Sequence, residues 1–95
     1  MRSKNISEEW ILSDHPAITM YGTTWCYESR RAKKLLDENG IEYLFIDIDS
    51  DLDGRSYVEQ VNRGFRSVPT IVFADGSILV EPSMKILKEK LGIAE

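Results

Sequence analysis

Cys26, the only cysteine of the chain, is the residue best placed to do covalent chemistry. It follows a short strand-like run, Ala17-Ile18-Thr19-Met20-Tyr21, and the link Gly22-Thr23-Thr24-Trp25. It also opens a segment of helical periodicity that runs to Asn39. At a helix start the first backbone N–H groups are unpaired and the macrodipole presents its positive end, so a thiolate, the nucleophilic form of cysteine, is favoured there. Ser29, one turn on, can offer a hydroxyl; Arg30 and Arg31 add positive charge, and Glu28 opposes them. The bland alternative is a thiol acting as a small buried hydrophobe, the common fate of a lone cysteine. Trp25 and Tyr27 flank Cys26 and form an aromatic rim able to shield a disulfide or hold a partner, with ordinary edge packing as the alternative.

A second feature is Arg66-Ser67-Val68-Pro69 before an apolar run. X-Pro is the one peptide bond at which the cis form is accessible, and a cis proline ahead of a strand would hold a tight turn. A trans proline that only starts the strand is the competing reading. Arg66 offers a guanidinium to a carboxylate on an incoming molecule, or is a solvated surface arginine. Two other patterns carry less. Asp49-Ser50-Asp51-Leu52-Asp53-Gly54 opens like a calcium loop, but Gln60 stands where the bidentate glutamate belongs and Ser56 where an apolar residue is usual. The aspartates read better as caps and first-turn charges of a helix. His15 precedes Pro16 and has no metal-ligand partner nearby in sequence; one cysteine and one histidine cannot make a four-ligand zinc site in one chain. No metal site is expected.

These residues need elements to hold them. Ala17 to Tyr21 reads as a strand and Cys26 to Asn39 as an amphipathic helix, with Ala32, Leu35 and Leu36 on one side. Gly40 then takes the left-handed stop and Ile41 contacts Leu36. Tyr43 to Ile48 is nearly all apolar, as expected of a strand buried on both faces. Asp51 to Arg63 reads as a second helix closed by Gly64. Pro69 to Phe73 and Ile78 to Val80 are strands joined by the turn signal Asp75-Gly76, and Pro82-Ser83 opens a last helix through Leu91. The order is β-α-β-α-β-β-α, with the first two strands parallel by a right-handed crossover and the hairpin antiparallel at one side. Residues 1–15 read as a tail or short helical extension of a single domain spanning 1–95.

Composition sets bounds. Ninety-five residues suffice for one core, and 42% hydrophobic against 29% charged residues, with mean hydropathy -0.29, is a folding composition. Sixteen acidic against twelve basic residues give a net charge of -4, which argues against nucleic-acid partners. A single cysteine excludes an internal disulfide and points to a reducing cytoplasm. Neither a signal sequence nor an apolar run of about 18 residues is visible, so export and membrane insertion are not expected.

Taken together, Thr24-Trp25-Cys26-Tyr27-Glu28-Ser29, Ser67-Val68-Pro69-Thr70 and Ala74-Asp75-Gly76-Ser77 resemble the glutaredoxin branch of the thioredoxin superfamily. The resemblance covers about residues 17 to 92 and is closest to mycoredoxin-like members with Ser in place of the second active-site cysteine. It implies a thioredoxin-like α/β fold, a four-stranded mixed sheet flanked by three helices. It further implies a thiol-disulfide oxidoreductase in which Cys26 is the nucleophile and Ser29 occupies the resolving position. Val68 and Pro69 would form the cis-proline element that pairs with substrate, with Trp25, Tyr27, Arg66, Asp75 and Gly76 on the substrate side. No tightly bound cofactor is implied. The co-substrate would be a low-molecular-weight thiol, mycothiol or glutathione, and the partners protein mixed disulfides or disulfides, with a thioredoxin-type reductase as a further electron source and the chain acting as a monomer. The lysine that glutathione-using relatives carry before the cysteine is replaced by Gly22-Thr23-Thr24, and their glycine pair after the hairpin by Val80-Glu81-Pro82-Ser83. Two other functional classes remain: an iron-sulfur carrier through Cys26 of two chains, and a redox-silent module holding a peptide strand at Val68-Pro69.

Overall fold

The computed structural model describes residues 17–93; the tail or helical extension expected over residues 1–15, with His15, lies outside the described residues. Within them the order is β1 (Thr19–Gly22), α1 (Tyr27–Glu38), β2 (Leu44–Asp47), α2 (Leu52–Val61), β3 (Thr70–Val72), β4 (Ile78–Val80) and α3 (Met84–Leu91). The four strands form one mixed sheet in the order β2-β1-β3-β4. β1 pairs in parallel with β2, Thr19 opposite Leu44, and antiparallel with β3, Tyr21 opposite Thr70; β3 and β4 make the hairpin. This is the thioredoxin-like arrangement expected from the element order.

Strand alternation divides the molecule into two layers around the sheet. Met20 lies opposite Ile71, and both are buried with Ile18, Ala32, Leu36, Phe73 and Leu87 in one core, so α1 and α3 share that face. Tyr21 points the other way, where its ring meets Tyr57 of α2 at 5.0 Å between centroids, and Val58 of the same helix is buried. β2 corrects the expectation of a strand covered on both faces. It is the sheet edge, and Leu44 remains 44% exposed. The hairpin occupies the other side of β1, which makes β1 and β3 the central strands and leaves β2 with one neighbour.

Local chemistry sets the helix ends. Gly40 adopts φ 65°, its N–H donates to the Asp37 carbonyl, and the Ile41 N–H donates to the Leu36 carbonyl at 3.0 Å. That is the Schellman stop read from Gly40-Ile41. The Asp51 carboxylate accepts from the Gly54 N–H at 2.7 Å and the Ser83 hydroxyl from the Ile86 N–H at 3.1 Å, capping α2 and α3.

Candidate active site

The sheet positions the site at one end. β1 runs out at Gly22, and four residues later Cys26 stands as the N-cap of α1, with extended backbone (φ -78°, ψ 124°) and no side-chain capping bond. Its carbonyl accepts the first helical bond from Arg30 N–H at 3.0 Å. The thiol is free and partly exposed, so the buried-hydrophobe reading does not hold. The unpaired N–H groups of the first turn and the positive helix end face this position.

Two contacts absent from the sequence reading hold the loop before Cys26. Arg30 Nη1 donates to the Trp25 carbonyl at 2.9 Å and to the Thr24 carbonyl at 3.4 Å, pinning the loop to the helix it precedes. Trp25 Nε1 donates to Asp49 in the β2–α2 turn at 2.7 Å, while the Trp25 side chain stays 67% exposed. The Arg30 contact follows from helical reach along one turn; the Trp25–Asp49 contact spans 24 residues and has no local signal.

Ser29 turns inward. It is fully buried, and its Oγ accepts from the Thr23 N–H at 3.4 Å instead of serving the Cys26 sulfur. The fit is close: a Cβ at Gly22 would come within 2.7 Å of Ser29 Oγ. Ser29 therefore sits beneath the loop and holds the Thr23 amide. Its hydroxyl is shielded from solvent.

The Val68-Pro69 peptide is cis. Because Tyr21 pairs with Thr70 and Thr70 with Val80, Pro69 and Glu81 share the end of the sheet from which Cys26 emerges. The Glu81 N–H donates to the Pro69 carbonyl at 2.8 Å, with Glu81 in the left-handed region at φ 48°. The Thr70 hydroxyl donates to the Ser67 carbonyl at 2.7 Å, and Asn62 Nδ2 donates to Thr70 Oγ1 at 3.2 Å, tying the proline loop to α2. Arg66 is already engaged, its Nε on Glu59 at 2.7 Å. Tyr27 is 62% exposed beside Cys26, with the Arg31 guanidinium 5.6 Å from its ring centroid.

Asp75 and Gly76 are not part of this group. β3 runs away from the proline, so its turn lies at the opposite end of the sheet, level with Thr19. There the Asp75 carboxylate accepts from the Ser77 N–H and hydroxyl and pairs with Lys90 at 2.7 Å, which ties the hairpin to α3. The Lys90 bond first, then those from Ser77, hold the Asp75 carboxyl well below the usual carboxylate range. The motif that helps identify the chain is a structural turn.

Among the described residues no group of three or more His, Cys, Asp or Glu side chains is arranged to hold a metal ion, and no helix is long and apolar enough to cross a membrane. Asp51, second aspartate of the calcium-like run, is used as the α2 cap.

The glutaredoxin family pattern matches residues 18–78. A Mycobacterium tuberculosis protein named as a glutaredoxin is 44% identical over 75 residues, covering 79% of this chain and 89% of that one. Mycoredoxin 1 of Corynebacterium glutamicum is 42% identical over 65 residues, covering 68% and 80%. The crystal structure of the glutaredoxin from Methanosarcina mazei superposes with a TM-score of 0.66 at 28% identity, covering 82% of this chain and 80% of that one. A partly exposed cysteine at the start of the first helix, at the same end of the sheet as a cis proline, with the family pattern over residues 18–78 and these relatives, places the chain in the glutaredoxin family.

Proposed function

We propose that the protein is a monothiol thiol-disulfide oxidoreductase working on mixed disulfides between proteins and a low-molecular-weight thiol. The observation that carries this is Cys26 itself: a free, partly exposed thiol at an uncapped helix N-terminus, with Ser29 buried in the position a resolving cysteine would take. The Cys26 thiolate attacks the small-thiol sulfur of a protein mixed disulfide. That S–S bond breaks, the protein thiolate leaves and takes a proton, and Cys26 is left disulfide-bonded to the small thiol. A second small thiol, as thiolate, attacks that bond, releasing the oxidised small-thiol disulfide and the Cys26 thiolate. The net exchange turns the protein mixed disulfide and one free small thiol into the protein thiol and the small-thiol disulfide. With no second cysteine, the intermediate is not resolved within the chain.

Trp25, Tyr27, Val68 and Pro69 supply the substrate side, the Val68 backbone offering an edge to an extended segment. Mycothiol is favoured over glutathione as co-substrate. Glutathione carries two carboxylates, whereas Gly22-Thr23-Thr24 supplies no cation before Cys26, Arg66 is committed to Glu59, and Glu81 adds a carboxylate at the proline end. The similarity to mycoredoxin 1 points the same way. A reducing compartment such as the cytoplasm, where a thioredoxin-type reductase could also supply electrons, suits a single unpaired thiol.

The test is reduction of a protein mixed disulfide carrying mycothiol or glutathione, each with its matching free thiol, followed by mass. A Cys26-bound small thiol that accumulates and then clears, faster with mycothiol and absent in Cys26→Ser, is the expected result. No adduct with either thiol would overturn the enzyme reading, and faster turnover with glutathione would overturn the thiol choice.

A further inference from the structure

A groove of about 480 Å³ runs between α1 and α3, starting at Tyr27 and hence at the active-site end. Its volume falls in the range of recognition pockets, about 300–1,000 Å³. Four cations line it, Arg30, Arg31, Lys34 and Lys88, against one carboxylate, Glu38, with Leu35 and Met84 supplying apolar surface. This is unexpected on a chain of net charge -4. The carboxylates nearest these cations neutralise them poorly: Lys34 meets Glu38 only at 4.0 Å and Arg31 meets Glu28 at 3.9 Å, all on exposed side chains. Among the described residues Lys88 has no ion-pair partner.

We propose that this groove docks an acidic segment of the protein whose disulfide Cys26 reduces. The inference rests on the thiol-exchange reading and adds to it the chemical class of the protein partner. Charge complementarity selects the occupant, since a groove lined by cations on an acidic protein attracts acidic chain and repels basic chain. Continuity with the site sets the geometry. Tyr27 follows Cys26 directly, and Arg30, which lines the groove, also holds the Trp25 and Thr24 carbonyls of the loop carrying that cysteine. From Tyr27 to Lys34 is two turns of α1, about 10 Å at ~1.5 Å per residue, which an extended peptide covers in about three residues at ~3.3 Å each. Glu81 lies at the active-site end of the sheet and disfavours acid there, so Lys34 and Lys88, further along the groove, are the expected anchors.

The experiment uses the full chain with reduced Cys26 and short peptides, each carrying one cysteine activated as a thiopyridine mixed disulfide. Three to four residues from that cysteine, on both sides, stand glutamates, glutamines or lysines. Thiopyridone release gives the second-order rate, and a neutral dipyridyl disulfide reports the exchange chemistry alone. At low salt the glutamate peptide is expected to react roughly three- to tenfold faster than the glutamine peptide, from a few exposed charge contacts, and the lysine peptide more slowly still. The ranking should collapse in high salt. It should vanish in Lys34→Gln/Lys88→Gln and invert in Lys34→Glu/Lys88→Glu. Equal rates for the three peptides, or a ranking untouched by both double variants, would overturn the docking proposal while leaving the exchange chemistry standing. An inert Cys26 toward the neutral dipyridyl disulfide would instead sink the enzyme reading. Docking would then be judged separately by titrating a cysteine-free glutamate peptide: amide shifts confined to residues 30–38 and 84–91 uphold it, and no shifts reject it.

Discussion

The arrangement around Cys26 depends on contacts a single atom can break. Gly22 and Ser29 are packed so closely that Gly22→Ala is expected to destabilise the fold by about 1–3 kcal/mol, since a Cβ would meet Ser29 Oγ at 2.7 Å. Ser29→Ala removes the acceptor for the buried Thr23 N–H and should cost about 1 kcal/mol. Denaturant unfolding of the two single variants and the double variant tests the pairing: removing Oγ relieves the nearest clash, so the double variant should be more stable than the sum of the singles allows. Asp49→Ala frees the Trp25 indole, and in a Trp10→Phe background lower Trp25 fluorescence anisotropy is the expected readout. Unchanged anisotropy would show that the ring is held by something other than that hydrogen bond. At this scale the helix-start position of Cys26 and the turn at Pro69 were legible because residue type and local position carry them. The Asp49 anchor and the commitment of Arg66 to Glu59 were not, since both depend on how α2 and its turn pack against the loops.

The elements are held by their ends. Asp51→Ala and Ser83→Ala should each cost about 1 kcal/mol in denaturant unfolding, because each leaves an N-terminal amide of its helix without its side-chain acceptor. Gly40→Ala places a Cβ at φ 65° and should cost about 1 kcal/mol for that reason alone, since no atom lies within 4 Å of the new methyl. A substantially larger loss would mean the Schellman stop itself had opened. The α1 stop at Gly40, the caps of α2 and α3 and the hairpin turn were readable, because a left-handed residue or a capping side chain acts within a few positions of itself; α2 ends earlier than its glycine, at Val61, with Arg63 already at φ 57°. The exposure of β2 was misjudged. An apolar run such as Tyr43 to Ile48 suits an edge strand or a central one, and only the pairing of β3 with β1 decides between them.

For the molecule as a whole, stability should narrow from both ends of the pH scale. Asp75 has its folded carboxyl held below the unfolded value near ~3.9, so its contribution is present above that pH and is lost as pH falls through and below it. Asp75→Asn should flatten that part of the acid limb, and added salt should weaken the effect because the pair is exposed. Burial, followed by its hydrogen bond to Asp37, pushes the Tyr43 phenol up to about 12. The neutral phenol is the form the fold favours, so its contribution holds below the unfolded value near ~10 and is lost as pH rises from there toward 12. Thermal unfolding of Tyr43→Phe across that window should show a shallower alkaline decline; an unchanged slope would mean other groups control it. The sequence by itself determined that the one cysteine stands at a strand-to-helix joint, and the order of the elements, because hydrophobic period and turn residues act locally along the chain. Tertiary structure alone decided that Ser29 faces the core, that Asp75-Gly76 lies at the far end of the sheet from Cys26, and that four cations line one groove. The physical reason is that each is a relation between surfaces, set by strand pairing and by which helix faces meet, and no stretch of residues encodes it alone.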